Sequence, residues 1–140
     1  MDKKLILLVE DSDDDAVLFQ HAVARSQCEA AVHHVEATEE AIHCIQAGMR
    51  PSLVFLDLML PNIGGVHFLQ WVRQQEEFRC IPVIVMTGAI QRQTMTDLCS
   101  MGVNAVMVKP LSQALLHEAV SAACTFWLKF CVPPRGTSGD

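Results

Sequence analysis

L-I-L-L-V-E-D-S-D-D-D, residues Leu5 to Asp15, decides the architecture. Its first part, Leu5–Val9, is an unbroken apolar run with no polar alternation, the pattern of a strand covered on both faces. The run stops at Glu10 and Asp11. From Asp14 onward Ala16, Val17, Phe19, Ala22 and Val23 fall largely at helical spacing, with Ser12 or Asp13 as the N-cap. A buried strand, an acidic turn and a helix thus follow one another within one short segment.

The same unit recurs along the chain. Ala30 to Val35 reads as a weaker strand, followed by a helix from Thr38 through Gln46 that Gly48 stops. Leu53-Val-Phe-Leu56 is a buried strand ending at Asp57; a loop with Pro61, Gly64 and Gly65 leads to a helix from Val66 to Gln75. Val83-Ile-Val-Met86 ends at Thr87, and a helix from Gln91 to Met101 is stopped by Gly102. Ala105 to Val108 ends at Lys109-Pro110, and a last helix runs from Ser112 to Phe130. Strands alternating with helices predict an α/β fold with a doubly wound, five-stranded parallel sheet, because parallel neighbours need right-handed crossovers that place helices on both faces. Residues 1–131 are read as one domain and 132–140, with Pro, Gly and Ser, as a short loose tail too small for an output domain.

Composition narrows the function. Of the 140 residues 51% are hydrophobic, enough for a real core. No apolar run approaches the ~20 residues of a membrane span, and Leu5–Val9 has the wrong continuation for a signal peptide, so a cytoplasmic protein is expected. The net charge of −6 argues against nucleic-acid binding. Cys28, Cys44, Cys80, Cys99, Cys124 and Cys131 show no zinc or dithiol spacing and read as buried thiols.

In a parallel sheet, ligands bind outside the carboxyl ends of the strands. Those ends carry Glu10 and Asp11, Asp57, Thr87 and Lys109. Carboxylates gathered there would raise one another's pKa unless a cation joined them, and hard oxygen donors with room for water suit Mg²⁺. A carboxylate is also a competent nucleophile for phosphorus, giving an aspartyl phosphate. Lys109 and Thr87 could balance the charge that such a group brings.

V-E-D-S (Val9 to Ser12), F-L-D-L-M-L-P-N-I-G-G (Phe55 to Gly65), V-M-T-G (Val85 to Gly88) and V-K-P (Val108 to Pro110) resemble, in order and spacing, the receiver domain of two-component response regulators. The resemblance covers about residues 4 to 130 and implies a flavodoxin-like fold with strand order 2-1-3-4-5. It implies Asp57 as phosphate acceptor, Mg²⁺ on Asp11, Asp57 and the Met59 backbone carbonyl, Glu10 acting mainly through bound water, and Thr87 and Lys109 on the phosphoryl group. It further implies a cis Lys109–Pro110 bond, and phosphate delivery by a sensor histidine kinase or a phosphotransfer protein. E-D-S-x-x-D at Glu10 to Asp15, L-D-L-x-L-P at Leu56 to Pro61, I-P-V at Ile81 to Val83 and F-W-L at Phe126 to Leu128 are similar to the small regulators that partner bacterial phytochrome kinases.

Three positions depart from the family pattern. Val106 stands where an aromatic switch residue is usual, Gly64 replaces an acidic or polar residue, and Leu111 replaces a phenylalanine. Phosphorylation chemistry is untouched by these, but its readout cannot use the aromatic ring. A pseudo-receiver docking module and a phosphorelay shuttle are therefore carried as alternatives. An aspartyl phosphatase would want an acid where Met59 stands, and a nucleotide- or flavin-binding protein would want glycines where the acidic turn stands. Because Met59 cannot orient a water, slow self-dephosphorylation is expected rather than enzymatic turnover. Asp13, Asp14 and Asp15 read as a solvated helix N-terminus. Trp127, Phe126 and Phe130 are read as either core or a face for a partner, a second copy of the chain included.

Overall fold

A computed structural model describes residues 4–57, 64–88 and 92–131. Five strands, β1 (Lys4–Val9), β2 (Ala30–Val35), β3 (Leu53–Asp57), β4 (Val83–Thr87) and β5 (Ala105–Val108), form one parallel sheet in the order β2-β1-β3-β4-β5. Between them run α1 (Asp13–Arg25), α2 (Thr38–Gln46), α3 (Gly64–Gln74) and α4 (Arg92–Ser100), and α5 (Gln113–Cys124) follows β5. This is the flavodoxin-like order that the resemblance implies.

Side-chain alternation along the strands builds two cores. Ile6, Leu8, Leu53, Phe55, Ile84 and Met86 point to one face, where Ala16, Phe19, Ala22 and Val23 of α1 and Val120 and Cys124 of α5 cover them. Leu7, Val9, Val54, Leu56, Val83 and Val85 point to the other, under Ala41 and Ile45 of α2, Phe68, Leu69 and Val72 of α3, and Leu98 of α4. Phe19 and Phe55 meet edge to face with ring centroids 4.7 Å apart. Each fully buried side chain of this kind contributes about 1.5–3 kcal/mol relative to exposure. β1, β3 and β4 are therefore fixed from both sides, and so are the residues that end them.

Helix boundaries follow local chemistry. The Ser12 side chain accepts the Asp15 N–H at 3.2 Å and so caps α1, and Ser112 caps α5 in the same way through Leu115 N–H at 3.1 Å. Gly48 and Gly102 stop α2 and α4 with φ of +119° and +82°, a region that side chains disfavour. At the opposite end of the sheet from the acidic turn, the Arg73 guanidinium donates to the carbonyls of Gly102, Arg79 and Ile81 at 2.7–3.0 Å and to Asn104 Oδ1 at 2.7 Å. Burial pulls its pKa below the ordinary arginine value.

Several expectations need correction. The last helix does not continue as one α-helix to Phe130: α5 ends at Cys124, and Thr125–Phe130 widens into a π-helical turn. That turn buries Leu128 while Phe126 and Phe130 face outward, so the aromatic segment divides between core and surface. Lys109–Pro110 is trans, as is every other described peptide bond. Trans is the lower-energy form of an X–Pro bond, and the exposed neighbours Val108 and Leu111 supply no packing to override it. Only Cys124 among the cysteines is buried, whereas Cys80 and Cys99 are exposed, since their helix and loop positions face water. Among the described residues no helix is long and apolar enough to cross a membrane.

Candidate functional site

The carboxyl ends of β1, β3, β4 and β5 converge. β3 ends on Asp57 with 1% exposure, β4 ends on Thr87 with 5%, and Glu10, directly after β1, has 2%. Burying three polar groups here follows from strand register: Asp57 pairs with Met86 and Thr87 with Val108, so these ends lie level on neighbouring strands. Asp11, one residue further out, is exposed. Carboxylate oxygens of Glu10, Asp11 and Asp57 lie within 4.8 Å of one another.

Glu10 is held at four points. Its N–H donates to the Val35 carbonyl at 3.0 Å, its carbonyl accepts from His34 Nε2 at 2.6 Å, Oε2 accepts the Ser12 N–H at 3.2 Å, and Oε1 accepts from Lys109. In the sequence the pair His33-His34 reads as surface or half-buried strand positions, and His34 is the half-buried one. The structure puts it there and gives it a specific job, anchoring the turn that carries the acids.

Lys109 reaches into the acidic group from the end of β5. Its backbone N–H donates to the Thr87 carbonyl at 2.7 Å, and its Nζ donates to Asp57 Oδ2 at 2.8 Å, Glu10 Oε1 at 3.0 Å and Asp15 Oδ2 at 3.0 Å. Burial alone would lower the lysine pKa; the bonds to Asp57, Glu10 and Asp15 outweigh it and hold the ammonium above its ordinary value. Burial pushes the Glu10 carboxyl up to about 7, with a hydrogen bond to Asp57 and repulsion from that carboxylate adding to the shift and Lys109 opposing it. One lysine is thus not enough to neutralise the buried acids.

The shortfall in positive charge is what a divalent cation would supply. Opposed ligands of an octahedral Mg²⁺ lie roughly 4.2 Å apart at metal–oxygen distances of about 2.1 Å, so three oxygens within 4.8 Å of one another can converge on such an ion. Glu10, Asp11 and Asp57 therefore fit a magnesium site. The remaining ligand expected from sequence, the Met59 carbonyl, lies outside the described residues.

Asp15 is the residue that sequence reading misplaced. Asp13 and Asp14 are exposed at the start of α1, as expected, but Asp15 turns back to Lys109 with a 43% exposed side chain. Its place at the third position of the helix points it toward the N-terminal rim. The E-D-S-x-x-D pattern singles out Asp15 from its two neighbours but gives no partner for it; only the fold brings a lysine 94 residues away within reach.

Val106 packs, half-buried, against the cluster that holds Val83, Val85 and Leu98, on the face covered by α2, α3 and α4. Leu111 is fully exposed.

The response regulator receiver domain family matches residues 6–121. The chain belongs to this family, the phosphoacceptor domains of two-component systems. It is 31% identical over 132 residues to the probable methanogenesis regulatory protein FilR2 of Methanothrix harundinacea, covering 91% of this chain and 85% of the relative. Among solved structures it is similar to the phosphorylated cyanobacterial phytochrome response regulator RcpA, with a TM-score of 0.87, 29% identity, and coverage of 95% and 99%. The Mn²⁺-bound form of response regulator Rcp1 gives a TM-score of 0.83 at 28% identity, covering 94% of this chain and 99% of that one. Phytochrome-associated regulators are thus among its structural neighbours, as the sequence motifs suggested.

Proposed function

We propose that this chain is a response regulator that takes a phosphoryl group onto Asp57 from a histidine kinase or phosphotransfer protein, with Mg²⁺ on Glu10, Asp11, Asp57 and the Met59 carbonyl. The observation that carries the reading is the buried Asp57 carboxylate bonded to Lys109 at the sheet's carboxyl rim, beside two further acids. An Asp57 oxygen attacks phosphorus in line as the phosphorus–nitrogen bond of a phosphohistidine breaks, and the freed imidazole recovers a proton from water. Lys109 shifts from the Asp57 oxygen to a phosphoryl oxygen, and the Thr87 hydroxyl donates to another. The chemistry a bound Mg²⁺ supplies is neutralisation of the incoming phosphoryl charge.

Output by this reading runs through protein–protein contacts of the receiver domain. Resemblance to RcpA makes a bacterial phytochrome the first kinase to test. Since Val106 has no ring to swing, a shuttle in a phosphorelay, which needs only transfer chemistry, stands as the second reading. Hydrolysis of the acyl phosphate is slow because Met59, two residues past Asp57, has no group to orient a water; Met59→Asn is expected to shorten the phosphoprotein's lifetime.

Incubation with acetyl phosphate and Mg²⁺, followed by intact-mass measurement, tests the reading. An adduct of about 80 Da is expected, dependent on Mg²⁺ and absent in Asp57→Asn. No adduct, or one that survives Asp57→Asn, rejects it.

A further inference from the structure

The Lys109 ammonium has three N–H donors, and three carboxylates take them: Asp57 at 2.8 Å, Glu10 at 3.0 Å and Asp15 at 3.0 Å. These three partners are not equivalent. Glu10 and Asp57 belong to the cluster whose oxygens can converge on a divalent cation, whereas Asp15 stands outside it. An ion on the Glu10 and Asp57 carboxylates would draw on the same negative charge that holds Lys109 and would repel an ammonium a few ångströms away. Lysine is a compact charge on a flexible four-carbon stem, so with those two bonds weakened it has little to keep it from swinging into solvent. Lys109 is already 22% exposed.

Asp15 is built to prevent this. Its backbone N–H is fixed by Ser12 Oγ at 3.2 Å, the next residue Ala16 is buried in the core under α1, and its carboxylate closes over the ammonium from the outer lip of the pocket. We infer that Asp15 is a positioning residue that keeps Lys109 over Asp57 when a divalent cation occupies the acidic cluster, so that the ammonium is in place to meet the incoming phosphoryl group. The inference rests on the reading of Asp57 as acceptor and Lys109 as its counter-charge.

The test combines two measurements on Asp15→Asn, Lys109→Ala and the double variant, all at saturating Mg²⁺ so that changes in metal affinity drop out. Asparagine keeps the backbone cap and the side-chain volume but removes the charge. With acetyl phosphate as donor, Asp15→Asn is expected to slow phosphorylation about three- to fivefold when Lys109 is present, the scale of a half-exposed ion pair, and by less than about 1.5-fold in the Lys109→Ala background. A residue that merely stabilised α1, or added a general negative potential, would slow both backgrounds by the same factor. The second measurement is the ¹⁵N-edited signal of the Lys109 ammonium, visible only while its protons are held in hydrogen bonds. It is expected to survive Mg²⁺ addition in the wild type and in Asp15→Glu, and to vanish in Asp15→Asn. Equal factors in the two backgrounds, no slowing, or an ammonium signal indifferent to Asp15 would overturn the inference. A wild type that takes up no phosphoryl group would instead defeat the acceptor reading, and the ammonium signal would then decide the role of Asp15 alone.

Discussion

Two ends of the same sheet edge are built differently. Around β1 and β3, Glu10 and Asp57 are sealed by cores on both faces and tied to Lys109, His34 and Ser12. Around β5 and α5 the strand is only half-buried, and Val108, Leu111, Leu115, Phe126 and Phe130 are exposed. The acidic site is thus a fixed charge arrangement held by packing, whereas the neighbouring face is an apolar surface that nothing within the chain covers among the described residues. Lys109 joins the two, because it directly follows β5 on the loosely packed side and bonds Asp57 on the other. Rigid charges suit chemistry, and on the proposed function an uncovered face suits contact with a partner.

The largest effect expected on breaking this arrangement comes from Lys109→Ala. It leaves the buried Glu10 and Asp57 carboxylates without their cation, and the metal-free protein should lose about 3 kcal/mol of stability at neutral pH, read by urea denaturation. Added Mg²⁺ should restore part of that loss, and a variant as stable as wild type without metal would show that the lysine is not balancing the buried acids.

Next in size is a pH effect at Glu10. Its folded pKa of about 7 lies above the ordinary 4.5, so the neutral form favours the fold. The stabilisation is fully present below pH 4.5 and lost as pH rises through 7. The stability difference between wild type and Glu10→Gln, both metal-free, should therefore move by about 2–3 kcal/mol in favour of the variant between pH 4.5 and pH 8. Mg²⁺ affinity, measured by calorimetry, should fall below pH 7 as the ion competes with the proton. A flat difference across that range would place Glu10 in an ordinary solvated environment.

The smallest effect belongs to the other side. Leu111→Ser and Phe130→Ser should each change stability by less than about 0.5 kcal/mol and leave phosphorylation rates unaltered. A large loss in either would mean that this face is internal support and not a free surface.

Much of this was legible in the sequence, and the reasons are physical. Leu5–Val9, Leu53–Leu56 and Val83–Met86 are continuous apolar runs that only a doubly covered parallel strand explains, so the order of polar residues at their ends could be read directly as a rim. The weaker strand Ala30–Val35 and the helix Thr38–Gln46 stopped by Gly48 lie where they were read. What sequence did not show depends on contacts between distant segments. Asp15 shows no partner until the end of β5 is placed beside α1. His34 looks like any strand histidine until β2 lies against the Glu10 turn. The widening of the last helix at Thr125–Phe130 leaves no mark in residue type, since each of its residues is compatible with a plain α-helix.

The central claim is that Asp57, and no other acid on the crowded rim, receives the phosphoryl group. Borohydride reduction of the phosphorylated protein converts an acyl phosphate to the corresponding alcohol, and peptide mass spectrometry then locates it. Homoserine at position 57 alone is the result expected; homoserine at Asp11 or Asp15, 5-hydroxynorvaline (the product from a glutamyl phosphate) at Glu10, or an unmodified position 57 in phosphorylated protein, would contradict the account.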